Sequence, residues 1–342
     1  MKDRELSPRS QMMQHILSKW ISMPISVVAR LGIADLLASG AKSIERLASA
    51  TGTHRESLYR VMRALAGVGI FYEDESRRFS LTPLGECLKS DGLRYQAMLF
   101  HSGWHDRAWS ELEYSVRTGE AAFDKAFGKP AFDWLAEHPE EARVHGLAMA
   151  ANLGPRTGAI VQSYDFGKHG VIADVGAGHG SLLIAIAKEF PEVRCIAADL
   201  PHAARAAEEN FESAGISDRC RAEPCDFVKS VPRDADLYIL SNILHDWNDD
   251  LSQTVLENCR EAMKTDSRIM IVEFLVPPAN EFSPAKLLDI EMLVMSGGGR
   301  ERTADEFRQL LESAGLYMEN VTSLATGECI LEAVVDDQEG RS

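Results

Sequence analysis

The reading of the fold turns on Val171-Ile-Ala-Asp-Val-Gly-Ala-Gly-His-Gly180 and its continuation Ser181-Leu-Leu-Ile-Ala-Ile-Ala-Lys-Glu-Phe190. Val171–Val175 is a short, nearly all-apolar run with the character of a buried strand. A glycine-rich turn follows, and then a segment that reads as a helix over 181–190. Gly176 and Gly178 permit a tight turn and close approach of a ligand to the backbone. The spacing is G-x-G-x-G. A dinucleotide fingerprint wants its third glycine at 181, where Ser181 stands, and no G-x-x-x-x-G-K-[ST] phosphate loop occurs. Taken alone, the pattern also fits a plain structural turn.

Downstream, strands and helices alternate. Strands are expected at Arg194–Ala198, near 220–224, at Leu237–Leu240 and at Arg268–Phe274. Helices are expected at Ala203–Ala214, Leu251–Lys264 and Asp305–Ala314. Leu316–Leu324 and Cys329–Val335 close the chain as two strands around Thr326-Gly327. Repeated βα units predict a Rossmann-like α/β fold, a mostly parallel seven-stranded sheet covered on both faces. The final hairpin places one antiparallel strand in it.

Upstream, the texture differs. Residues 12–38 read as helical, with Pro24 expected to kink the helix or start a new one. Ser43 caps a helix that Thr51-Gly52 stops. Thr53 is expected to cap the next, with Glu56 completing a capping box. Ile70-Phe-Tyr and Arg78-Phe-Ser-Leu then form a hairpin around Glu73-Asp-Glu-Ser. Helix, turn, helix and hairpin make a winged-helix pattern. Residues 100–160 read as a helical connection rich in aromatics (Trp104, Trp109, Phe123, Phe127, Phe132, Trp134), which are core residues by default and candidate pocket walls otherwise.

Of 342 residues, 45% are apolar and 26% charged, enough to bury a sizeable core, and the length suits two domains. Net charge is 36 − 52 = −16. Residues 1–90 carry 13 Lys/Arg against 9 Asp/Glu, or +4, so the remainder carries −20. An acidic body is a poor partner for phosphates, so nucleic acid is not expected as a ligand, although His54, Arg55, Arg60 and Arg63 lie on the second helix of the winged-helix pattern. No run approaches the length of a membrane span, and the first residues lack an apolar signal core. Six scattered cysteines without a C-x-x-C pair suit a reducing, cytoplasmic setting.

Candidate site residues cluster at strand ends. Asp199 ends the second strand, 25 residues after Asp174, where a carboxylate can accept from both hydroxyls of a ribose or simply cap the next helix. Asp226-Phe227, after the third strand, pairs a carboxylate with an aromatic face suited to an adenine or forms a plain turn. Ser241-Asn-Ile-Leu-His245-Asp246-Trp247 follows the fourth strand, and a histidine at such an edge is a general-base candidate. Glu273 lies 28 residues on, in an apolar strand end, and Glu301 a further 28 residues on, just before a helix. A carboxylate in an apolar strand end is costly unless paired or used.

The segments DVGAGHG, AADLPH, CDFVKSVP, LSNILHDWNDD, IVEFLVP and GGGRERTADEFRQLLESAGL occur in the order found in S-adenosylmethionine-dependent O-methyltransferases of small aromatic metabolites. From about residue 15 to 335 the chain resembles this family of plants and bacteria. The resemblance implies a class I methyltransferase domain over 101–342, with 101–160 lining the acceptor pocket, and a winged-helix dimerisation domain over 1–100, hence a homodimer. It implies that Asp174, Gly176, Gly178, Gly180, Asp199, Leu200, Asp226, Phe227, Ser241 and Trp247 surround S-adenosylmethionine, whose product is S-adenosylhomocysteine. It makes His245 the general base, flanked by Glu273 and Glu301, and assigns Met149, Asn152, Asp246, Met292 and Met295 to the acceptor. Ser241 stands where plant members carry a cofactor-touching lysine, a departure that reads as bacterial.

The function expected is methyl transfer to a hydroxyl of an aromatic small molecule, with no metal required. Two alternatives stay open. One keeps the cofactor but hydroxylates, decarboxylates or rearranges its substrate; the other is a winged-helix regulator with a ligand-sensing domain.

Overall fold

The computed structural model describes residues 7–336, apart from the side chain of Asn152. It packs as two compact units, one of residues up to 107 together with 134–152, the other of 108–133 and 153 onward. The segment 101–160, expected to go with the catalytic domain, divides between them; the division falls inside the helix Pro139–Ser163.

The first unit contains the winged-helix pattern. Helices Ile44–Thr51 and Arg55–Gly67 precede strands β2 (Phe71–Glu73) and β3 (Arg78–Leu81), and β3 also pairs with a short β1 (Lys42–Ser43) that no sequence signal announced. Ser43 Oγ caps the first helix by accepting from Arg46 N, and Gly52 ends it in the left-handed conformation at φ +64°. The expected capping box at Thr53 does not form. His54 takes the cap position with its ring paired to the Ser57 hydroxyl and not to a backbone amide, while the Thr53 hydroxyl pairs with Thr51 at 2.9 Å and Glu56 reaches Arg55. The chain turns one residue later than the Thr-x-x-Glu spacing suggests. Pro24 stays within the helix Lys19–Arg30, and the breaks come instead around residues 17–18 and at Gly32, where φ is +66°. Leu47, Leu58, Met62, Phe71 and Phe79 fill this unit's core.

The second unit is the seven-stranded sheet. Its strands are β4 (Val171–Val175), β5 (Arg194–Asp199), β6 (Cys220–Pro224), β7 (Leu237–Ser241), β8 (Arg268–Glu273), β9 (Leu316–Ser323) and β10 (Cys329–Val335). They lie in the order β6-β5-β4-β7-β8-β10-β9, and β10 alone runs opposite to the other six. Both faces are covered, and the period of two shows it. Leu237 and Ile239 of β7, with Met270 and Val272 of β8, enter one core, while Tyr238, Leu240, Ile269 and Ile271 enter the other. That is why these strands read as continuous apolar runs. A helix at Pro284–Met295, unmarked in the sequence reading, also belongs to this unit. Among the described residues, no helix is long and apolar enough to cross a membrane.

Strand order reverses between β4 and β7: from β4 the chain steps outward to β5 and β6, then returns to β7. The crevice beyond the carboxyl ends of these two strands is the switch point where open α/β sheets bind ligands. The glycine turn follows β4 and the His245 turn follows β7.

Candidate active site

Each glycine of the turn has its own reason. Gly176, at φ +80°, faces Ile243; a Cβ there would lie 2.2 Å from Ile243 Cδ1 and 3.7 Å from Phe227. At Gly180, also at positive φ, a Cβ would meet the Phe211 ring at 2.7 Å. Gly178 has φ +55° and nothing within 4 Å of its virtual Cβ, so its backbone borders open space. The Gly178 amide donates to Asp199 Oδ2 at 2.7 Å, tying the turn to the end of β5.

Asp199 also accepts from Leu200 N at 2.6 Å. It does not cap the following helix: Leu200 holds the cap position of Pro201–Ala214 and no side chain bonds there. Leu200 leaves its apolar side chain 46% exposed beside the carboxylate. Asp174 is buried, and burial, followed by the charge of Asp199, pushes its carboxyl up to about 7. Phe227 and Trp247 meet edge to face, with ring centroids 6.1 Å apart, which forms one aromatic corner beside Gly176. Asp226 is exposed and paired with Lys229 at 2.7 Å. Ser241 is the last residue of β7 and half-buried.

The turn after β7 brings together the three residues spaced 28 apart. His245 Nδ1 lies 3.2 Å from Glu273 Oε2 and 3.2 Å from Glu301 Oε1. Both carboxylates are essentially inaccessible and the imidazole is 13% exposed. The approaches are charge contacts off the N–H axis, so Nδ1, Glu273 Oε2 and both oxygens of Glu301 lack aligned hydrogen bonds. Buried polar groups left this way are unusual in a core and typical of a place shaped for chemistry. Glu273 Oε1, by contrast, accepts from the amides of Ile243, Leu244 and His245 at 3.0, 2.9 and 3.3 Å. One carboxylate therefore supports the turn with one oxygen and faces the ring with the other.

Burial works against a charged ring, but Glu273, then Glu301 and Asp246, outweigh it and hold His245 well above its ordinary pKa of 6.5. Burial raises the Glu301 carboxyl despite the neighbouring imidazole, and it raises Asp246 as well. The other ring nitrogen, Nε2, lies 3.6 Å from Asp246 Oδ1. The donor atoms of His245, Glu273 and Glu301 fall within 4.8 Å of one another, a spacing that a metal ion also accepts.

The remaining predicted residues come from other elements. Met292 and Met295 are half-buried in the last turns of Pro284–Met295, in the sheet unit. Met149 is 39% exposed and belongs to the first unit, and Asn152 is helical there with its side chain outside the described residues. Two residues escaped the sequence reading. Asn242 holds a left-handed φ of +54°, which starts the His245 turn, and its Oδ1 accepts from Arg156 Nη1 at 2.5 Å. Asparagine at a strand end is one of the few residues that adopts this conformation readily, and that was its only signal. Arg302 is 1% exposed and bonded throughout to the 244–252 segment.

The chain matches the O-methyltransferase domain over residues 109–317 and the O-methyltransferase dimerisation domain over 13–91. It is 43% identical to the phenazine O-methyltransferase PhzM of Lysobacter antibioticus, over 95% of each chain. The chain belongs to the O-methyltransferase family. It is a methyltransferase, and the enzymes of its family use S-adenosylmethionine. The methyltransferase is also 32% identical to the phenazine-1-carboxylate N-methyltransferase of Pseudomonas aeruginosa, over 95% of this chain and 96% of that one. Among solved structures, it superposes with TM-score 0.79 on the O-methyltransferase NcsB1 from neocarzinostatin biosynthesis, in complex with S-adenosylmethionine and 2-hydroxy-5-methyl naphthoic acid. Identity there is 30%, over 92% of this chain and 95% of that one. The methyltransferase's own residues fit such a nucleoside: an open backbone at Gly178, a carboxylate at the end of β5 and an aromatic corner at Phe227 and Trp247.

Proposed function

We propose that this methyltransferase moves a methyl group from S-adenosylmethionine to a hydroxyl of an aromatic small molecule, with His245 as general base. The observation that carries the reading is the convergence of Glu273 and Glu301 on one imidazole nitrogen, 3.2 Å each, with the other nitrogen left for a substrate. Asp199 would hold the ribose hydroxyls beside Leu200. Phe227 and Trp247 would take the adenine with Asp226, while Asp174, Ser241 and the glycine turn would face the rest of the cofactor.

S-adenosylmethionine, when bound, supplies a methyl group on a sulfonium and leaves as S-adenosylhomocysteine. His245 Nε2 takes the proton of the acceptor hydroxyl as the oxygen–methyl bond forms and the sulfur–methyl bond breaks. Glu273 and Glu301 orient the ring and stabilise its charged form. Asp246 would reach the acceptor from beside Nε2. Met292 and Met295 would line its pocket, methionine suiting flat and varied shapes.

The test is mass spectrometry of products from a panel of hydroxylated aromatics incubated with S-adenosylmethionine. Gain of one methyl on a hydroxyl supports the proposal, and its absence across the panel sinks it. The likeness to an N-methyltransferase gives one arm of the panel its purpose. A pyridine-type ring nitrogen carries no proton to remove, so turnover there would persist without His245.

A pH dependence follows. The neutral ring is the working form, and its neighbours favour the charged one, so kcat is expected to rise through an apparent pKa above 6.5. The sign for stability is opposite. A raised pKa in the fold means the His245 contribution is present below about 6.5 and lost as pH rises through the higher folded value. Initial rates and melting temperatures across the same buffers check both; a rate profile flat above pH 6 counts against the base.

A homodimer through the first unit completes the reading. Ile16 and Trp20 are 64% and 71% exposed in its first two helices, within the dimerisation match. Light scattering is expected to give the mass of two chains, and a single-chain mass would remove the dimer.

A further inference from the structure

The turn that carries His245 is held from two sides. On one side, Glu273 takes its amides. On the other, residues 296–302 take every carbonyl from 244 to 247. Leu244 O accepts from Arg302 Nη1 at 2.8 Å, His245 O from Arg300 N at 2.8 Å, Asp246 O from Ser296 Oγ at 3.0 Å and Trp247 O from Arg302 Nη2 at 2.9 Å. Arg302 supplies the two outer grips and, among the described residues, is the one lysine or arginine that is fully buried.

Its other bonds go to Asp249 Oδ1, from Nε at 2.9 Å and Nη2 at 2.8 Å, and to Ser252 Oγ at 3.2 Å. Asp249 is 57% exposed, so an ion pair alone would not need a guanidinium 1% exposed. Burying that group is costly unless its fork of donors is matched, and here the fork is matched by the carbonyls that flank the imidazole. The backbone of Arg302 adds a second link: its carbonyl accepts from Val276 N at 2.9 Å, just beyond the strand that bears Glu273. Glu301 is the residue immediately before it. One residue, through its side chain and its backbone, thus ties together the pieces that carry the ring and both of its carboxylates.

We propose that Arg302 is a positioning residue for His245, fixing the turn so that the imidazole keeps its place between Glu273 and Glu301. The inference rests on the reading of His245 as general base.

The test compares wild type, Arg302→Met, His245→Gln and the double variant of the full-length enzyme, on an acceptor the panel has identified. Arg302→Met is expected to lower kcat by about 10- to 100-fold, the scale of a misplacement near 1 Å. Asp246 and Trp247 share the gripped turn, so the KM for the acceptor and the affinity for S-adenosylhomocysteine are expected to change as well, but by a smaller factor than kcat. The rising limb of the kcat profile should move to lower pH, because a ring displaced from Glu273 on β8, from Glu301 on 296–302 and from Asp246 on its own turn loses what stabilises its proton. Adding Arg302→Met to His245→Gln should cost little more, since the arginine acts through the histidine.

Wild-type kcat in folded Arg302→Met overturns the proposal, as does a full extra loss in the double variant. Should Arg302→Met not fold, Arg302→Lys takes its place. Lysine keeps the charge but cannot span the same acceptors, so an intermediate kcat with a shifted profile supports the proposal and a wild-type profile overturns it. An active His245→Gln instead overturns the base reading itself, a result distinct from either of these.

Discussion

Replacing His245 by glutamine is expected to lower kcat by about 10²- to 10⁴-fold, the usual contribution of a positioned base. Affinity for S-adenosylhomocysteine should barely change. Glutamine keeps a polar side chain of similar reach but has no nitrogen able to take a proton at neutral pH. The substitution changes only the side chain, and the backbone of the turn that also carries Trp247 keeps its bonds to Glu273 and Arg302, so calorimetric titration of the product should return close to the wild-type constant. The result that ends the role of His245 is wild-type turnover with an intact titration. A loss of both together would instead mean that the turn has collapsed.

Replacing Glu273 is expected to have the broadest effect. Glu273→Leu removes the acceptor for three amides at 2.9–3.3 Å, all in the turn that carries the base. A buried donor left unsatisfied costs about 1–3 kcal/mol, so three of them cost several even if the turn relaxes. In a unit of this size each kcal/mol lowers the melting temperature by about 2–4 °C, so a fall near 10 °C with loss of activity is expected. Glu273→Gln is the informative contrast. Its amide oxygen still accepts from the turn, so the melting temperature should stay close to wild type. The charge facing Nδ1 is gone, so kcat should drop and the rising limb of its profile should move to lower pH. Calorimetry beside rate profiles separates the two roles. Equal melting losses in both variants would show that the oxygen–amide contacts do not hold the turn.

Much of this was legible in advance, for local reasons. The strands of the sheet were readable because a strand buried on both faces leaves an uninterrupted apolar run, as in β7 and β8. Ser43 was readable as a cap because its bond to Arg46 N spans three residues. Thr53 failed by the same logic: a one-residue change in where the chain turns moved the cap to His54 and left the threonine bonded to Thr51. The helix Pro284–Met295 spreads Lys286, Asp289 and Glu291 among its apolar residues without separating the two kinds onto opposite faces, so no amphipathic stripe marked it. β1, two residues long, exists only because β3 lies beside it.

For the site, composition and order along the chain determined which groups were available: a glycine turn after the first strand of the sheet, carboxylates at the ends of the next two βα units, and a histidine and two glutamates at matching places in the last ones. Those follow from the chain because strand ends recur in sequence and ligands gather at them. Only the tertiary structure decided that the two glutamates meet on the same ring nitrogen, that one oxygen of Glu273 holds the backbone under it, and that Arg302 grips the turn from the far side. These contacts join residues 28 to 58 positions apart. Strand register and the reversal of sheet order between β4 and β7 bring them to hydrogen-bonding distance, and no signal reaching three or four residues along the chain encodes either.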